Sequence, residues 1–213
     1  MATATDTRAP IATRVAELRE LATSDPRAAQ EATWGWFKEL GERRDEAKLG
    51  ELYELGEPPL TLDGPTEGIL VVPLIQGAFD RFATTLTGAW MPWLGKSFDS
   101  NLHRGYNRLA PSARWPAKLF WPFYSTSEDE DARGAFDFET AIEPGKADPG
   151  VQVLKIDYGP VSSNPRLVIR RIRDELVQIV PDTYLGKILW RSGDGDEATY
   201  SCIGYFALRQ LAG

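Results

Sequence analysis

The chain has 213 residues with a net charge of −7, and its 42% apolar and 26% charged content excludes wholesale disorder and suits one core. The acidic balance argues against nucleic acid, because such a surface repels phosphate backbones and the arginines at 166, 170, 171 and 173 are followed at once by Asp174 and Glu175. One cysteine, Cys202, and one histidine, His103, leave no internal disulfide and no ligand set for zinc, haem or iron–sulfur groups, so no cofactor and no metal are expected.

Residues 1–10 are small and polar and read as a disordered tail. They lack the basic start and apolar core of a secretory signal, and no later run reaches the roughly eighteen apolar residues that cross a bilayer. With a lone cysteine the expectation is a cytoplasmic protein without a membrane span. Residues 11–56 read as a helical lead that packs on the rest. Ile11, Val15, Leu18 and Ala22 fall at helical spacing. Asp25-Pro26 is then an N-cap and first-turn proline for a second helix over 27–48, with a stripe of Ala29, Thr33, Trp36 or Phe37, and Leu40.

From residue 57 to 213 the texture becomes that of a β-domain. Short β-branched and aromatic runs alternate with Gly, Pro, Asn and Asp. The predicted strands are 68–74, 93–98, 102–109, 135–142, 151–158, 175–180, 184–191 and 199–208. Residues 77–87 read as a helix, 125–134 as an acidic loop, and 145–150 and 192–197 as hairpin turns. Residues 166–180 carry both a helical stripe and a hairpin pattern, and a helical turn near Pro165 followed by a strand is the favoured reading. The fold class is mostly β: a single antiparallel barrel of about eight strands with room inside for one small ligand. An α+β sheet with the helices on one face is the competing architecture.

The densest chemical signal is aromatic. Trp90, Trp93, Phe98, Trp115 and Trp121 lie in a proline-punctuated stretch, and such rings bury area while keeping a polar edge for a partner. In a strand, Leu94, Lys96 and Phe98 share a face, and a lysine on an apolar face is desolvated and suited to hold an anion or move a proton. Snorkelling to the rim is the plainer reading of Lys96, as a surface position is of His103. On 151–158 the residues Leu154, Ile156 and Tyr158 share one face, which aims the Tyr158 hydroxyl where a ligand carbonyl would sit. Tyr184 opens the next glycine-bearing strand, Arg171 is a candidate partner for a carboxylate, and Cys202 alternates with Tyr200 and Phe206 as a small core residue. Lys96, His103 and Tyr158 are the acid–base candidates; Trp90, Trp93, Lys96, Phe98, Trp121, Tyr158, Arg171 and Tyr184 are the candidate ligand contacts.

The segments Trp93-Leu94-Gly95-Lys96-Ser97-Phe98, Ile156-Asp157-Tyr158, Tyr184-Leu185-Gly186-Lys187 and Tyr205-Phe206-Ala207-Leu208 stand in an order that resembles the GXWXG-domain family of uncharacterised proteins with its companion domain. The resemblance spans about 60–208 and implies a calycin-like barrel with no established activity. The functional expectation is a barrel that binds a small, mostly apolar molecule, lipid-, isoprenoid- or polycyclic-like, with or without a carboxylate or carbonyl. A cofactor-independent isomerase, cyclase or lyase using the same pocket, and a protein-interaction module, are the alternatives; a homodimer is the candidate assembly.

Overall fold

The computed structural model describes residues 10–74, 93–110, 127–129, 132–166 and 168–211. Trp90, Trp115, Trp121, the helix read over 77–87 and all but the last residue of the tail read over 1–10 lie outside the described residues.

Helix α1 (Ile11–Ser24) buries Ile11, Val15, Leu18 and Ala22, the stripe read from the sequence. Asp25 then caps α2 (Pro26–Glu42) by accepting a hydrogen bond from the Ala28 amide. The predicted second helix does not continue to 48. Arg44 takes a left-handed φ of 51°, and Asp45 caps a new helix, α3 (Glu46–Glu54), through the Lys48 amide. A cap at 45 competes with helix continuation and re-aims the chain, so that Leu49, Leu52 and Tyr53 become fully buried.

Nine strands form one antiparallel sheet among the described residues: β1 (Gly64–Pro73), β2 (Trp93–Asp99), β3 (Arg104–Leu109), β4 (Ser127–Asp129), β5 (Ala132–Pro144), β6 (Gln152–Asp157), β7 (Ile172–Val180), β8 (Thr183–Ser192) and β9 (Thr199–Gln210). Their order is β3-β2-β1-β9-β8-β7-β6-β5-β4, and β3 also pairs with β5. Eight strands therefore close into a barrel, which removes the open edges, while β4 hangs on β5 alone. Part of the segment read as a loop over 125–134 is thus a polar hairpin, because Ser127–Asp129 finds ladder partners in the first residues of β5. A three-residue 3-10 turn (Ile169–Arg171) does precede β7, as the favoured reading of 166–180 has it.

Strand alternation splits the apolar residues into two cores. Phe98, Phe138, Leu154, Ile156, Leu176, Tyr184, Phe206 and Leu208 fill the barrel. Val153, Val177, Ile179, Leu185, Tyr205 and Ala207 face outward and pack under the three helices. One bulge changes a prediction: β8 and β9 shift register between Ile188↔Gly204 and Leu189↔Cys202. The extra residue puts Cys202 beside the outer, helix-covered core and not on the Phe206 face.

Candidate functional site

Four polar side chains from separate strands or strand ends meet inside the barrel. Lys96 sits on β2 opposite Asn107 of β3, Tyr158 follows β6, and Asp174 lies on β7 between the inward-facing Ile172 and Leu176. The Lys96 ammonium donates to Asp174 Oδ2 at 2.8 Å, to Asn107 Oδ1 at 2.9 Å and to the Tyr158 hydroxyl. Tyr158 donates to Asp174 Oδ2 at 3.0 Å, and Asn107 Nδ2 donates to the Tyr158 oxygen at 3.1 Å and to the Phe136 carbonyl at 3.3 Å. Trp93 adds its indole N–H to Asn107 Oδ1 at 3.1 Å.

Local backbone chemistry sets this arrangement. Residues 93 and 96 would face opposite sides of a regular strand, but β2 bulges between Trp93 and Gly95, so both reach Asn107. Gly95 has φ of 136°, and a Cβ there would stand 2.2 Å from the Thr66 carbonyl oxygen. Only glycine lets β2 approach β1 this closely. The approach lets the Thr66 hydroxyl accept from the Lys96 amide and donate to the Lys96 carbonyl, which fixes the lysine's origin.

The centre is dry. Lys96 is 2% and Asp174 4% exposed, and the ammonium lies 5.2–5.7 Å from the ring centroids of Trp93, Phe138, Tyr158 and Phe206. Burial pulls the Lys96 pKa below that of an ordinary lysine, against the opposing pull of the Asp174 charge. Burial also holds the Tyr158 hydroxyl well above the usual phenol range, and the neighbouring Asp174 charge adds to it. The lysine is thus inside the barrel and not snorkelling to the rim.

Nearer the outside, the inward-facing residues Trp93, Val168, Ile172 and Ile188 are only half-buried. They flank the end of the barrel at which β2 and β7 begin. Toward the other end a cavity of about 470 Å³ opens where β5 outruns β3. Leu62, Phe98 and Leu154 line it from the interior core, Leu60 and Ile142 from the outside, and Ser100, His103 and Thr140 give it a polar edge. The Phe98–Phe138 and Phe138–Tyr158 ring contacts, at 5.4 and 5.6 Å, stand between that cavity and the polar centre.

Of the sequence candidates, Trp93, Lys96 and Tyr158 come together; Phe98 and Tyr184 line the same interior. His103 is exposed in the β2–β3 turn with a left-handed φ of 50°, at the edge of the end cavity and away from Lys96. Arg171 is half-buried in the 3-10 turn before β7. Trp90 and Trp121 lie outside the described residues. Asn107 and Asp174 escaped the sequence reading. Strand phase carried a signal for Asp174, an acid at an inward position between Ile172 and Leu176, but the preceding arginines drew it into a surface ion-pair reading. Arg173, its neighbour on the opposite face, is the residue of that run that pairs outward, with Glu143 and Glu175 at 2.8 Å each.

No family model, no curated protein and no solved structure matches the chain. Among the described residues no helix is long and apolar enough to cross a membrane, and no three His, Cys, Asp or Glu side chains are grouped to hold a metal ion.

Proposed function

We propose that the barrel holds a small, mostly apolar molecule at the Lys96 end of its interior. The supporting observation is the position of the polar centre: Lys96, Asn107, Tyr158 and Asp174 sit among apolar walls, beside the half-buried rim of Trp93, Val168, Ile172 and Ile188. Ligand sites have this composition, an apolar lining with a few convergent polar groups. A role in folding alone accounts poorly for it, because a buried ion pair seldom outperforms apolar residues of the same volume. Lys96 spends its three N–H donors on protein partners, which favours holding a ligand over turning one over. The GXWXG-domain resemblance belongs to the same proposal, since its Trp-x-Gly-Lys segment supplies Trp93, Gly95 and Lys96.

A second reading is favoured by the 470 Å³ cavity, which falls in the size range of small-molecule sites. Calorimetric titration of the full chain with 2-methylnaphthalene separates the two. At the Lys96 end, Trp93→Ala weakens binding roughly tenfold and Leu60→Asp leaves it unchanged. The reverse result moves the site to the end cavity, where Leu60 is 82% exposed and tolerates the change. Absence of saturable heat, and of any retained small molecule in native mass spectrometry of protein from its own host, ends the binding proposal.

A further inference from the structure

The hydrogen-bond inventory of the polar centre closes at every atom but one. Lys96 has three donors and uses three. Asn107 Oδ1 accepts from Lys96 and Trp93, and both Nδ2 hydrogens are donated. The Tyr158 oxygen accepts from Lys96 and Asn107 and donates to Asp174 Oδ2. Asp174 Oδ2 accepts from Lys96 and Tyr158. Asp174 Oδ1 is buried and accepts nothing among the described residues. A carboxylate oxygen left so is costly, and among the described residues it is the one polar atom of the centre without a partner.

Resting on the reading of the barrel as a binding site, we infer that its ligand presents a neutral hydroxyl to Asp174 Oδ1. Charge and donor count select this class. The lysine and the aspartate cancel, so the centre carries no net charge to attract an acid. A ligand carboxylate or ketone would set its lone pairs against the lone pairs of Oδ1, with no proton between them. An ammonium would supply a proton but add a second positive charge beside Lys96. A hydroxyl supplies the proton without the charge. The apolar rim beside it, Ile172 next on the same face of β7 and Ile188 directly across on β8, suits an apolar body attached to that hydroxyl. The inference replaces the acid expected from Lys96 and Arg171 and the carbonyl expected from Tyr158, each considered alone.

The test is calorimetry on the full chain near neutral pH with three compounds of one body: 2-naphthalenemethanol, 2-methylnaphthalene and 2-naphthoate. The alcohol is expected to bind roughly ten- to a hundredfold more tightly than the hydrocarbon, as for a hydrogen bond to a charged acceptor, and the acid most weakly. In Lys96→Met/Asp174→Leu, which removes both charges at similar volume, alcohol and hydrocarbon should bind alike. Equal binding of alcohol and hydrocarbon by the parent overturns the inference and leaves the binding reading standing, with water serving Oδ1. Tightest binding of the acid overturns it in favour of Lys96 as anchor. An alcohol preference that survives in the double variant places the hydroxyl elsewhere. Failure of all three to bind removes the binding reading and this inference together.

Discussion

Lys96 and Asp174 are 78 residues apart in sequence and 2.8 Å apart in space, with 3% and 6% of their side chains exposed. At that burial the two partners cannot be treated separately. Removing one charge leaves the other without water or counterion, whereas removing both exchanges a desolvated pair for packing. Lys96→Met is therefore expected to lose roughly 3–5 kcal/mol of stability, and Lys96→Met/Asp174→Leu to regain most of it. Urea unfolding of the two variants and the parent measures this. A double variant no more stable than the single would mean that the remaining contacts of Asn107 and Tyr158, and not the ion pair, carry the coupling. The outward-facing charges form a separate set. Arg173 bridges Glu143 and Glu175, and Lys187 reaches Asp148 at 2.6 Å. The Arg173 hydrogen bond and charge outweigh partial burial and hold the Glu143 carboxyl below its usual range.

Helix α2 shows how an element is fitted to the barrel. It buries Ala29, Thr33, Trp34, Trp36, Phe37 and Leu40, a face wider than the stripe read from the sequence because Trp34 also goes under. Its two glycines have opposite roles. Gly41 faces β1, and a Cβ there would stand 2.4 Å from the Val71 carbonyl oxygen. Gly35 is exposed with nothing within 4 Å. Gly41→Ala should cost roughly 1–3 kcal/mol by pushing the helix from the strand backbone. Gly35→Ala should stabilise by about 0.5–1 kcal/mol, since alanine loses less entropy in a helix interior. Thermal unfolding of both variants gives the signs. A neutral Gly41→Ala would show that α2 slides on β1 without loss.

At the scale of the whole molecule, both cores bury tyrosines. Tyr158 and Tyr184 lie within the barrel, Tyr53 and Tyr205 between barrel and helices, and burial is the first cause that raises the pKa of each above the ordinary 10.0. The folded state thus keeps four protons that the unfolded chain releases above about pH 10. Their contribution is fully present below that pH and is lost as pH rises beyond it. Lys96, with its pKa lowered, acts in the opposite sense, but it is one group against four. In an alkaline titration the tyrosinate absorbance of these residues should rise together with loss of near-ultraviolet circular dichroism. Four tyrosinates forming near pH 10 with the fold intact would contradict the burial described here.

Period and punctuation in the sequence determined the coarse architecture: Ile11, Val15, Leu18 and Ala22 on one helical face, Asp25-Pro26 at a helix start, short strands matching every strand but β4, and a mostly β barrel. That Lys96 shares a face with Phe98, and Leu154 one with Ile156 and Tyr158, was legible too, because a two-residue period is local information; which face points inward was not, and Lys96 read more plainly as a rim residue. Tertiary structure decided what local period cannot carry. Bulges at Trp93/Gly95 and at Ile188/Leu189 shift phase, bringing Trp93 onto the Lys96 face and moving Cys202 off the Phe206 face. Asp174, just ahead of the strand read over 175–180, was identified neither as an inward residue nor as the partner of Lys96. That pairing depends on barrel closure, which carries β2 and β7, distant in the chain and not neighbours in the sheet, to opposing walls of one interior.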